Sequence, residues 1–377
     1  MIADLTGIRI VFVNNFPGPG LGGGEVQTLA LVRGFLEAGA SVRAVVPPGS
    51  GFGAEVAGTG ATVAEVPMAG RNARAATRAI AAELDGDGAA VVVGTGYWTN
   101  LLVRHAARGV DARVVNLVGV TPGASVADGG SQLGLAARRL ADRATASRVD
   151  AWVAVAGAVA SALVAGGAPR ERVHTIPNGI DIGALRAAAA HGAAPIATDG
   201  ALVVCAARLE AVKGVEYLVR AAAQLPDATV AIAGDGPLAG RLRELAVALG
   251  VSDRVHFLGR VSPSAPLLAA ADVVALPSLS EGLPIVALEA MALGRPVVAT
   301  RVGGTAEAVE DGVTGLLVEA CDPAALAGAI RRVLGDAKLA AAMGEAGAKR
   351  AEERFTSATM VEAYAALVAE LVVAPPR

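Results

Sequence analysis

The stretch "PSLSEGLPIVALEAMALGRPVVAT", Pro277–Thr300, carries the pattern that is repeated along most of this chain. A β-branched run, Val273–Leu276, comes just before it, and a second, Val297–Thr300, ends it. Between them, Pro284 is typical of a helix start, and "GRP", Gly294–Pro296, is typical of a helix end. Strand, helix and strand in this order predict a parallel sheet that is covered by helices.

Two carboxylates, Glu281 and Glu289, lie eight positions apart within this otherwise apolar stretch. An early glutamate suits the positive end of a helix dipole, which accounts for Glu281 only. If both residues were helical, they would lie ~12 Å apart along the axis and ~80° apart around it. A glycosidase acid/base pair faces one bond from ~5 to 9.5 Å, so this spacing excludes one. The spacing suits opposite ends of one extended ligand.

The same alternation of short β-branched runs and alanine-rich segments predicts two doubly wound domains. The expected strands are Ile8–Val13, Val42–Val46, Thr62–Val66, Ala90–Val93, Arg113–Leu117, Ala151–Val155, Val173–Ile176, Leu202–Cys205, Thr229–Ala233, Val255–Leu258, Val273–Leu276, Val297–Thr300 and Leu316–Val318. Ala187–Gly200 has no periodic apolar face and is interpreted as a linker. We expect an N-terminal acceptor-side domain over 1–184 and a C-terminal donor-binding domain over 185–355. Residues 356–377 are expected to form a helix that crosses back to the N-terminal domain.

Net charge, cysteine content and the N-terminal sequence limit the kinds of ligand and the cellular location expected for this protein. The 377 residues carry a net charge of −3, which argues against a general binder of nucleic acid or membrane surfaces. The two cysteines, Cys205 and Cys321, lie in or beside apolar segments and lack the neighbours of a metal or disulfide pattern. No positively charged leader precedes an apolar stretch at the N-terminus. A cytoplasmic protein with a small ligand is therefore expected.

A glycine-rich segment, "FPGPGLGGGE" at Phe16–Glu25, separates the first strand from a helix expected near Val26. Such a loop lets backbone N–H groups approach a phosphate. It contains a nominal G-x-G-x-x-G, so a nicotinamide-dependent enzyme stays an alternative, as does a flexible turn. Against the dinucleotide interpretation, the first glycine follows the strand too late, and "VVPPG" after the second strand offers no acidic residue for a ribose.

Two cations follow the first strand of the second half. In "CAARLEAVKGVEYL", Arg208 and Lys213 lie between a strand and a helix expected near Val215. Converging there, they can neutralise a diphosphate and stabilise it as it leaves. Spacing alone favours the alternative that they are two solvated surface charges. "AGDGP" and "FLGRV" mark two further strand exits, and Arg260 in the second is equally consistent with an exposed residue.

Together with "IPNGID", Ile176–Asp181, and "VGGTAEAVEDGVTGLLV", Val302–Val318, these segments resemble the GT-B retaining glycosyltransferases of family 4. The E-x7-E spacing from Glu281 to Glu289 matches the signature of that family. The resemblance covers nearly the whole chain and is strongest from Ile176 to Val318. It implies an α/β GT-B fold, in which two Rossmann-like, doubly wound parallel-sheet domains face a cleft.

The resemblance also implies the ligand and its site. A nucleoside-diphosphate sugar, either a UDP- or a GDP-sugar, would be held chiefly by the second domain, without a metal or another required cofactor. Arg208 and Lys213 would bind its diphosphate and Glu281 its sugar, and these three residues would carry catalysis. The other donor-binding residues would be Gly282 and Leu283 for the sugar, Glu289 for the ribose, Arg260 and Val261 for the base, and Gly23 and Gly24 for the phosphates or the acceptor.

The implied reaction moves the sugar, with retained configuration, to a hydroxyl of a small-molecule, glycan or lipid-linked acceptor. Two alternatives stay open: a non-catalytic nucleotide-sugar-binding or regulatory GT-B protein, and an NAD-dependent sugar-nucleotide enzyme. One departure from the family pattern is Val118, where many members have a histidine that touches the donor 6-hydroxyl. Variable loops such as Gly119–Gln132 would choose the acceptor. The basic segment Ala136–Arg148 makes membrane contact possible but not favoured, because Asp142 dilutes the charge of Arg138, Arg139, Arg143 and Arg148.

Overall fold

The computed structural model describes residues 2–68, 73–85, 90–120 and 140–374. Contacts divide these residues into two compact units. The first unit contains the described residues up to Gly179 together with those from Ser357 onward, and the second contains Ile180–Thr356. Most of the expected acceptor loop Gly119–Gln132, along with Arg138 and Arg139, lies outside the described residues.

A seven-stranded parallel sheet forms the centre of the first unit, in the order β3-β2-β1-β4-β5-β6-β7. Its strands are β1 Arg9–Val13, β2 Ser41–Val46, β3 Thr62–Glu65, β4 Ala90–Gly94, β5 Ala112–Val118, β6 Ala151–Ala154 and β7 Val173–Thr175. The strand order reverses between β1 and β4. In such sheets ligands bind where the order reverses, at the carboxyl ends of the strands.

A six-stranded parallel sheet forms the centre of the second unit, in the order β10-β9-β8-β11-β12-β13. Its strands are β8 Ala201–Ala206, β9 Ala228–Ala233, β10 Val255–Gly259, β11 Val273–Leu276, β12 Val297–Thr300 and β13 Gly315–Val318. Here the order reverses between β8 and β11. Every strand expected from the sequence is present to within one or two residues, and the prediction of two doubly wound parallel sheets is confirmed.

Helices connect the strands, as parallel pairing requires. Their bounds are Gly23–Glu37, Gly51–Ala57, Ala73–Leu84, Tyr97–Ala106, Gly157–Ala165, Ile182–His191, Val215–Ala222, Ala239–Ala248, Ala265–Ala270, Ile285–Ala292, Thr305–Ala308, Pro323–Leu334, Ala337–Arg354 and Ser357–Val373. The last of them packs in the first unit on Gly23–Glu37, where a Cβ on Gly34 would lie 2.3 Å from Val361. Only a glycine allows that approach.

The prediction of a linker over Ala187–Gly200 is wrong for the first residues of that segment. Ile182–His191 is a helix, which begins where the Asp181 carboxylate accepts a hydrogen bond from the Ala184 N–H at 2.9 Å. Alanine has the highest helix propensity, so this cap suffices to start a helix without an apolar face. Arg186 fixes the helix within the second unit by donating to the Ala292 carbonyl at 3.1 Å.

The sheet strands are apolar because helices cover both of their faces. In β1, Ile10, Val11, Phe12 and Val13 are all fully buried. The long uncharged run after Asp150 forms β6 and the helix Gly157–Ala165. Among the residues that the structure describes, no helix is both long and apolar enough to span a bilayer.

Candidate functional site

The strand order of the second sheet brings two predicted site residues together. Lys213 follows β8 and Glu281 follows β11, and these strands are neighbours at the point where the order reverses. Both residues lie beyond the carboxyl ends of their strands. This is the position at which open parallel sheets bind ligands.

Lys213 and Glu281 form an ion pair, with 2.8 Å between the lysine Nζ and the carboxylate Oε1. The glutamate side chain is only 10% exposed, against 25% for the lysine. The buried Ser278 hydroxyl donates to the same oxygen at 2.7 Å, and the Thr300 hydroxyl in turn donates to the Ser278 carbonyl. The carboxylate is therefore held in one orientation by a cation and a neutral donor.

Backbone contacts join the loops that carry this pair. The Leu279 N–H donates to the Val212 carbonyl at 2.8 Å, which connects the loop after β11 to the loop after β8. Gly214 has φ +58°, and a Cβ there would lie 2.2 Å from the Pro277 carbonyl oxygen. Gly303 has φ +51°, and its Cβ would lie 1.8 Å from the Glu281 carbonyl oxygen. Glycine is needed at both positions for conformation and for space.

Arg208 lies on the same loop as Lys213 but is held differently. Its guanidinium pairs with Glu210 at 2.8 Å, and its side chain is 66% exposed. An exposed ion pair of this kind contributes only ~0–1 kcal/mol, so the arginine can exchange this partner for a ligand at little cost. The "AGDGP" turn after β9 supports the loop that carries Arg208, because the Leu209 N–H donates to the Asp235 carbonyl at 2.9 Å.

Glu289 lies in the helix Ile285–Ala292, whereas Glu281 lies before that helix begins. The geometry with both residues on one helix therefore does not occur, because Pro284 caps the helix three residues after Glu281. Glu289 is partly buried among apolar neighbours, and desolvation raises the pKa of its carboxyl to about 7. A carboxyl in this environment is well suited to accept hydrogen bonds from ligand hydroxyls, which would stabilise its charged form.

The remaining predicted residues of the second unit lie along the same edge of the sheet. Arg260 and Val261 follow β10 at the outer end, and the arginine is exposed. Gly282 and Leu283 follow Glu281 and are buried. Three strand spacings of ~4.8 Å separate β10 from β11, or about 14 Å. One extended ligand of that length would contact the loops after both strands.

The glycine-rich segment of the first unit also lies at a reversal of strand order. Its helix begins at Gly23, three residues earlier than expected, so Gly23 and Gly24 form the first turn rather than the loop. The first N–H groups of a helix have no intrahelical partner, and a Cβ at Gly24 would meet no atom within 4 Å. The backbone is therefore open to an approaching ligand at this point.

A polar network that the sequence analysis missed holds this segment. The buried Asn14 amide donates to the Glu25 carboxylate and to the Thr95 hydroxyl, each at 3.1 Å. Glu25 also accepts from the Gly22 N–H at 3.2 Å. Asn14 follows β1 and Thr95 follows β4, so the network spans the reversal point. Its only sequence signal was a polar residue directly after an apolar strand.

Ser278, Thr300 and Glu210 were missed as well. Ser278 stands within the quoted stretch, but a serine beside a turn is so common that spacing alone gave it no role. Burial raises the pKa of the Cys205 thiol, which lies at the end of β8, to about 12, so this residue is a neutral thiol. Within the described ranges, no three His, Cys, Asp or Glu side chains are grouped so that they could hold a metal ion.

Val118 ends β5, is partly buried and packs against the apolar cluster on one face of the first sheet. His105 is exposed on the helix Tyr97–Ala106, and its Nδ1 lies 2.8 Å from the Leu101 carbonyl oxygen. This histidine therefore lies on a solvated helix face. It does not replace the imidazole that the family pattern would place at position 118.

Comparison with known proteins places the fold and the family. Over 96% of this chain and 99% of the other, the structure superposes on Anabaena HepE in complex with UDP and glucose, with a TM-score of 0.81 and 22% identity. This likeness defines the protein as one with the two-domain GT-B fold. The sequence profile described as glycosyl transferases group 1 matches residues 188–350, and that of a glycosyl transferase 4-like domain matches residues 22–179. The chain belongs to the GT-B glycosyltransferases of group 1.

Two curated relatives have related names. D-inositol 3-phosphate glycosyltransferase of Nocardia farcinica is 36% identical over 187 residues, which make up 45% of this chain and 41% of the relative. GDP-mannose-dependent alpha-(1-6)-phosphatidylinositol monomannoside mannosyltransferase of Mycolicibacterium smegmatis is 37% identical over 163 residues, which make up 40% and 42%. The chain thus spans about two fifths of the length of the curated relatives it matches.

Proposed function

We propose that this protein is a retaining glycosyltransferase, which moves a sugar from a nucleoside-diphosphate sugar to a hydroxyl acceptor and releases the nucleoside diphosphate. The observation that carries the proposal is the Lys213–Glu281 ion pair at the strand-order reversal of the second sheet. A cation that would stabilise the departing diphosphate thus lies beside a fixed carboxylate that would bind the sugar, and this arrangement supports the proposal. Family membership supports the same reaction class.

In the proposed reaction, the bond between the anomeric carbon and the diphosphate oxygen breaks, and the acceptor oxygen forms a new bond to that carbon. The proton of the acceptor hydroxyl passes to the departing diphosphate oxygen. Negative charge develops on the diphosphate, and positive charge develops on the sugar ring. Arg208 and Lys213 stabilise the first charge through charge-assisted hydrogen bonds. Glu281 orients the sugar hydroxyls while Ser278 holds its carboxylate. When Lys213 leaves Glu281 and moves toward the phosphates, it couples the phosphate-binding half of the site to the sugar-binding half.

The donor is proposed to be a UDP- or a GDP-sugar, with no further cofactor. HepE was crystallised with UDP and glucose, and the mycobacterial relative is named for GDP-mannose, so both bases occur among similar proteins. Glu289 would accept the ribose hydroxyls, Arg260 and Val261 would lie beside the base, and Gly282 and Leu283 would offer backbone groups to the sugar. Gly23 and Gly24 would offer N–H groups to the phosphates or the acceptor. The acceptor class is a small molecule, a glycan or a lipid-linked sugar.

The test is a panel of UDP-, GDP-, dTDP- and ADP-sugars, in which release of the nucleoside diphosphate is measured without acceptor and with simple hydroxyl acceptors. We expect turnover with one base class and an α-linked product from an α-linked donor, as shown by the anomeric proton coupling in NMR. Binding without turnover of any donor would favour a non-catalytic binder. Quenching of protein fluorescence by NADH at micromolar concentration would favour the nicotinamide alternative.

A further inference from the structure

The first unit contains a polar cavity at the amino-terminal ends of its strands, whereas the glycine-rich segment lies at their carboxyl ends. Its volume is about 290 Å³, and it is lined by the turn after the helix Tyr97–Ala106, the start of β5 and residues 147–150. These segments lie at the amino ends of β5 and β6. The seven residues of β5 at ~3.3 Å each put about 20 Å between the two edges of the sheet. The charged residues of the lining are Arg104, Arg108, Asp111, Arg113, Arg148 and Asp150.

Two of the four arginines have their charges balanced within the protein. Arg104 is buried and donates through Nη1 to the Asp142 carboxylate and to the Thr145 hydroxyl, both at 2.9 Å. Arg113 lies 3.9 Å from the Asp150 carboxylate, which also accepts from the Val114 N–H at 2.8 Å. These two pairs build the wall of the cavity and leave little charge for a ligand.

Arg108 and Arg148 are different. In the part of the chain that the structure describes, neither has a carboxylate within ion-pair distance, and the Arg148 Nη1 is buried without a hydrogen-bond partner. Burial, together with the positive charge of Arg108, lowers the pKa of Arg148. In the ligand-free protein, the buried Arg148 donor without a partner and the repulsion between Arg108 and Arg148 are both unfavourable. An oxyanion that bridges the two guanidinium groups removes both penalties.

The acidic residues on the lining select for strongly charged ligands. Asp111 is exposed on the rim and opposes any anion, while Asp150 is already engaged by Arg113 and Val114. A singly charged carboxylate gains one attraction and suffers the repulsion of Asp111. A phosphate monoester carries nearly two charges and has three acceptor oxygens, so it can satisfy both arginines at once.

We propose that Arg108 and Arg148 bind a phosphate or pyrophosphate group in this cavity, at a site separate from the nucleotide-sugar site. The group belongs either to a lipid headgroup or to a free phosphorylated metabolite. Arg148 is one of the arginines of the basic segment Ala136–Arg148, for which the sequence makes membrane contact possible but not favoured. The cavity gives that arginine a specific ligand class instead of a diffuse contact with a surface.

The test measures calorimetric binding of inorganic pyrophosphate to proteins that carry Arg208→Ala, so that the nucleotide site contributes little. The Arg108→Gln/Arg148→Gln pair is compared with Arg33→Gln/Arg78→Gln, in which two exposed arginines on helices of the same unit lose the same charge. We expect at least tenfold weaker binding in the first pair and less than twofold in the second. Equal weakening in both pairs, or no binding to the Arg33/Arg78 variant, would overturn the proposal.

A second arm separates the two sources of the phosphate. Co-sedimentation with phosphatidic acid vesicles, whose headgroup is a phosphate monoester, that depends on Arg108 and Arg148 identifies a lipid headgroup. Pyrophosphate binding without vesicle binding identifies a free metabolite, and either outcome supports the site. Arg108→Gln alone should keep or raise the melting temperature of the ligand-free protein because it removes a repulsion. A lower melting temperature would contradict the unbalanced pair on which the proposal rests.

Discussion

The Lys213 ammonium lies 2.8 Å from the Glu281 carboxylate, so the cation proposed for the diphosphate is neutralised by the carboxylate proposed for the sugar. Both side chains are largely buried, and the Ser278 hydroxyl supports the carboxylate from another direction. In the proposed mechanism, a donor must supply new partners to both groups at once. A nucleoside diphosphate without its sugar can supply a partner to Lys213 only.

This relationship predicts that Glu281→Gln separates binding from turnover. Because the amide removes the charge that competes for Lys213, the affinity for the free nucleoside diphosphate should stay the same or rise up to tenfold. The value of kcat should fall by two orders of magnitude or more, since the sugar loses its charged partner. Calorimetry with UDP and GDP and steady-state kinetics check the two halves. A parallel loss of affinity and kcat would show that Glu281 serves the nucleotide instead.

Arg208 should contribute to nucleotide affinity in spite of its exposure. Arg208→Ala removes charge-assisted hydrogen bonds worth ~1.5–3 kcal/mol, so the Kd of UDP or GDP should rise about 10- to 150-fold. Glu210→Gln is the matched control because it frees the arginine from its ion pair. This control should bind as tightly as the wild type or up to fivefold tighter. If both variants weakened binding alike, the loop would matter for its shape and not for its cation.

Glu289 should make the stability of the ligand-free protein depend on pH. Its folded-state pKa of about 7 is above the unfolded value, so the folded protein holds more protons than the unfolded chain between about pH 4.5 and pH 7. The stability that this group contributes is therefore lost as the pH rises through that window. Relative to Glu289→Gln, the ligand-free wild type should lose stability from pH 5 to pH 7, as denaturant unfolding at each pH can show. A constant difference between the two proteins would contradict the assigned environment.

The same carboxyl should release a proton when its ribose partner binds. Hydroxyl donors favour the ionised form, so the pKa of Glu289 should fall on binding near neutral pH. The enthalpy of UDP or GDP binding at pH 6.5 should then depend on the ionisation enthalpy of the buffer. In Glu289→Gln, the nucleotide phosphate still releases its own proton on binding, but the proton that Glu289 releases in the wild type should be absent. An identical buffer dependence in both proteins would remove the ribose role from this residue.

Val118 should influence the choice between donors that differ at C6. The resemblance to the family implies that an imidazole at this position meets the 6-hydroxyl, and an unpaired buried hydroxyl costs ~1–3 kcal/mol. Val118→His should therefore shift the kcat/KM ratio toward the 6-hydroxylated donor by about 5- to 150-fold over its 6-deoxy analogue. Val118→Leu, which adds volume without a donor, is the control. An unmoved ratio in the histidine variant would mean that other groups satisfy the hydroxyl.

The sequence predicted the sheets well because strand signals are local. A buried parallel strand needs a short apolar run between turns, and β1, β11 and β12 show that run plainly. The helix bounds were less accurate because capping decides them. The capping carboxylate of Asp181 starts a helix that reaches His191, so part of the expected linker is helical. Glu25 likewise fixes the helix start at Gly23 through the Gly22 N–H.

The candidate site was only half predictable for a related reason. Arg208, Lys213, Glu281 and Glu289 stand in recognisable motifs, so their positions could be read from the chain. Their partners depend on contacts between loops that are distant in sequence. Lys213 and Glu281 meet only because β8 and β11 are neighbours, and Asn14 meets Thr95 because β1 and β4 are neighbours. Neither adjacency follows from a single strand pattern.

The proposed mechanism depends above all on Lys213, which stabilises the diphosphate as it leaves the sugar. The most direct measurement is kcat/KM for nucleoside diphosphate release, with the donor found in the panel, in Lys213→Met and in the control Lys338→Met, which alters a lysine at the start of another helix of the same unit. We expect a loss of at least 100-fold in the first variant and less than twofold in the second. A Lys213→Met enzyme within threefold of the wild type would contradict the role of Lys213 in diphosphate departure.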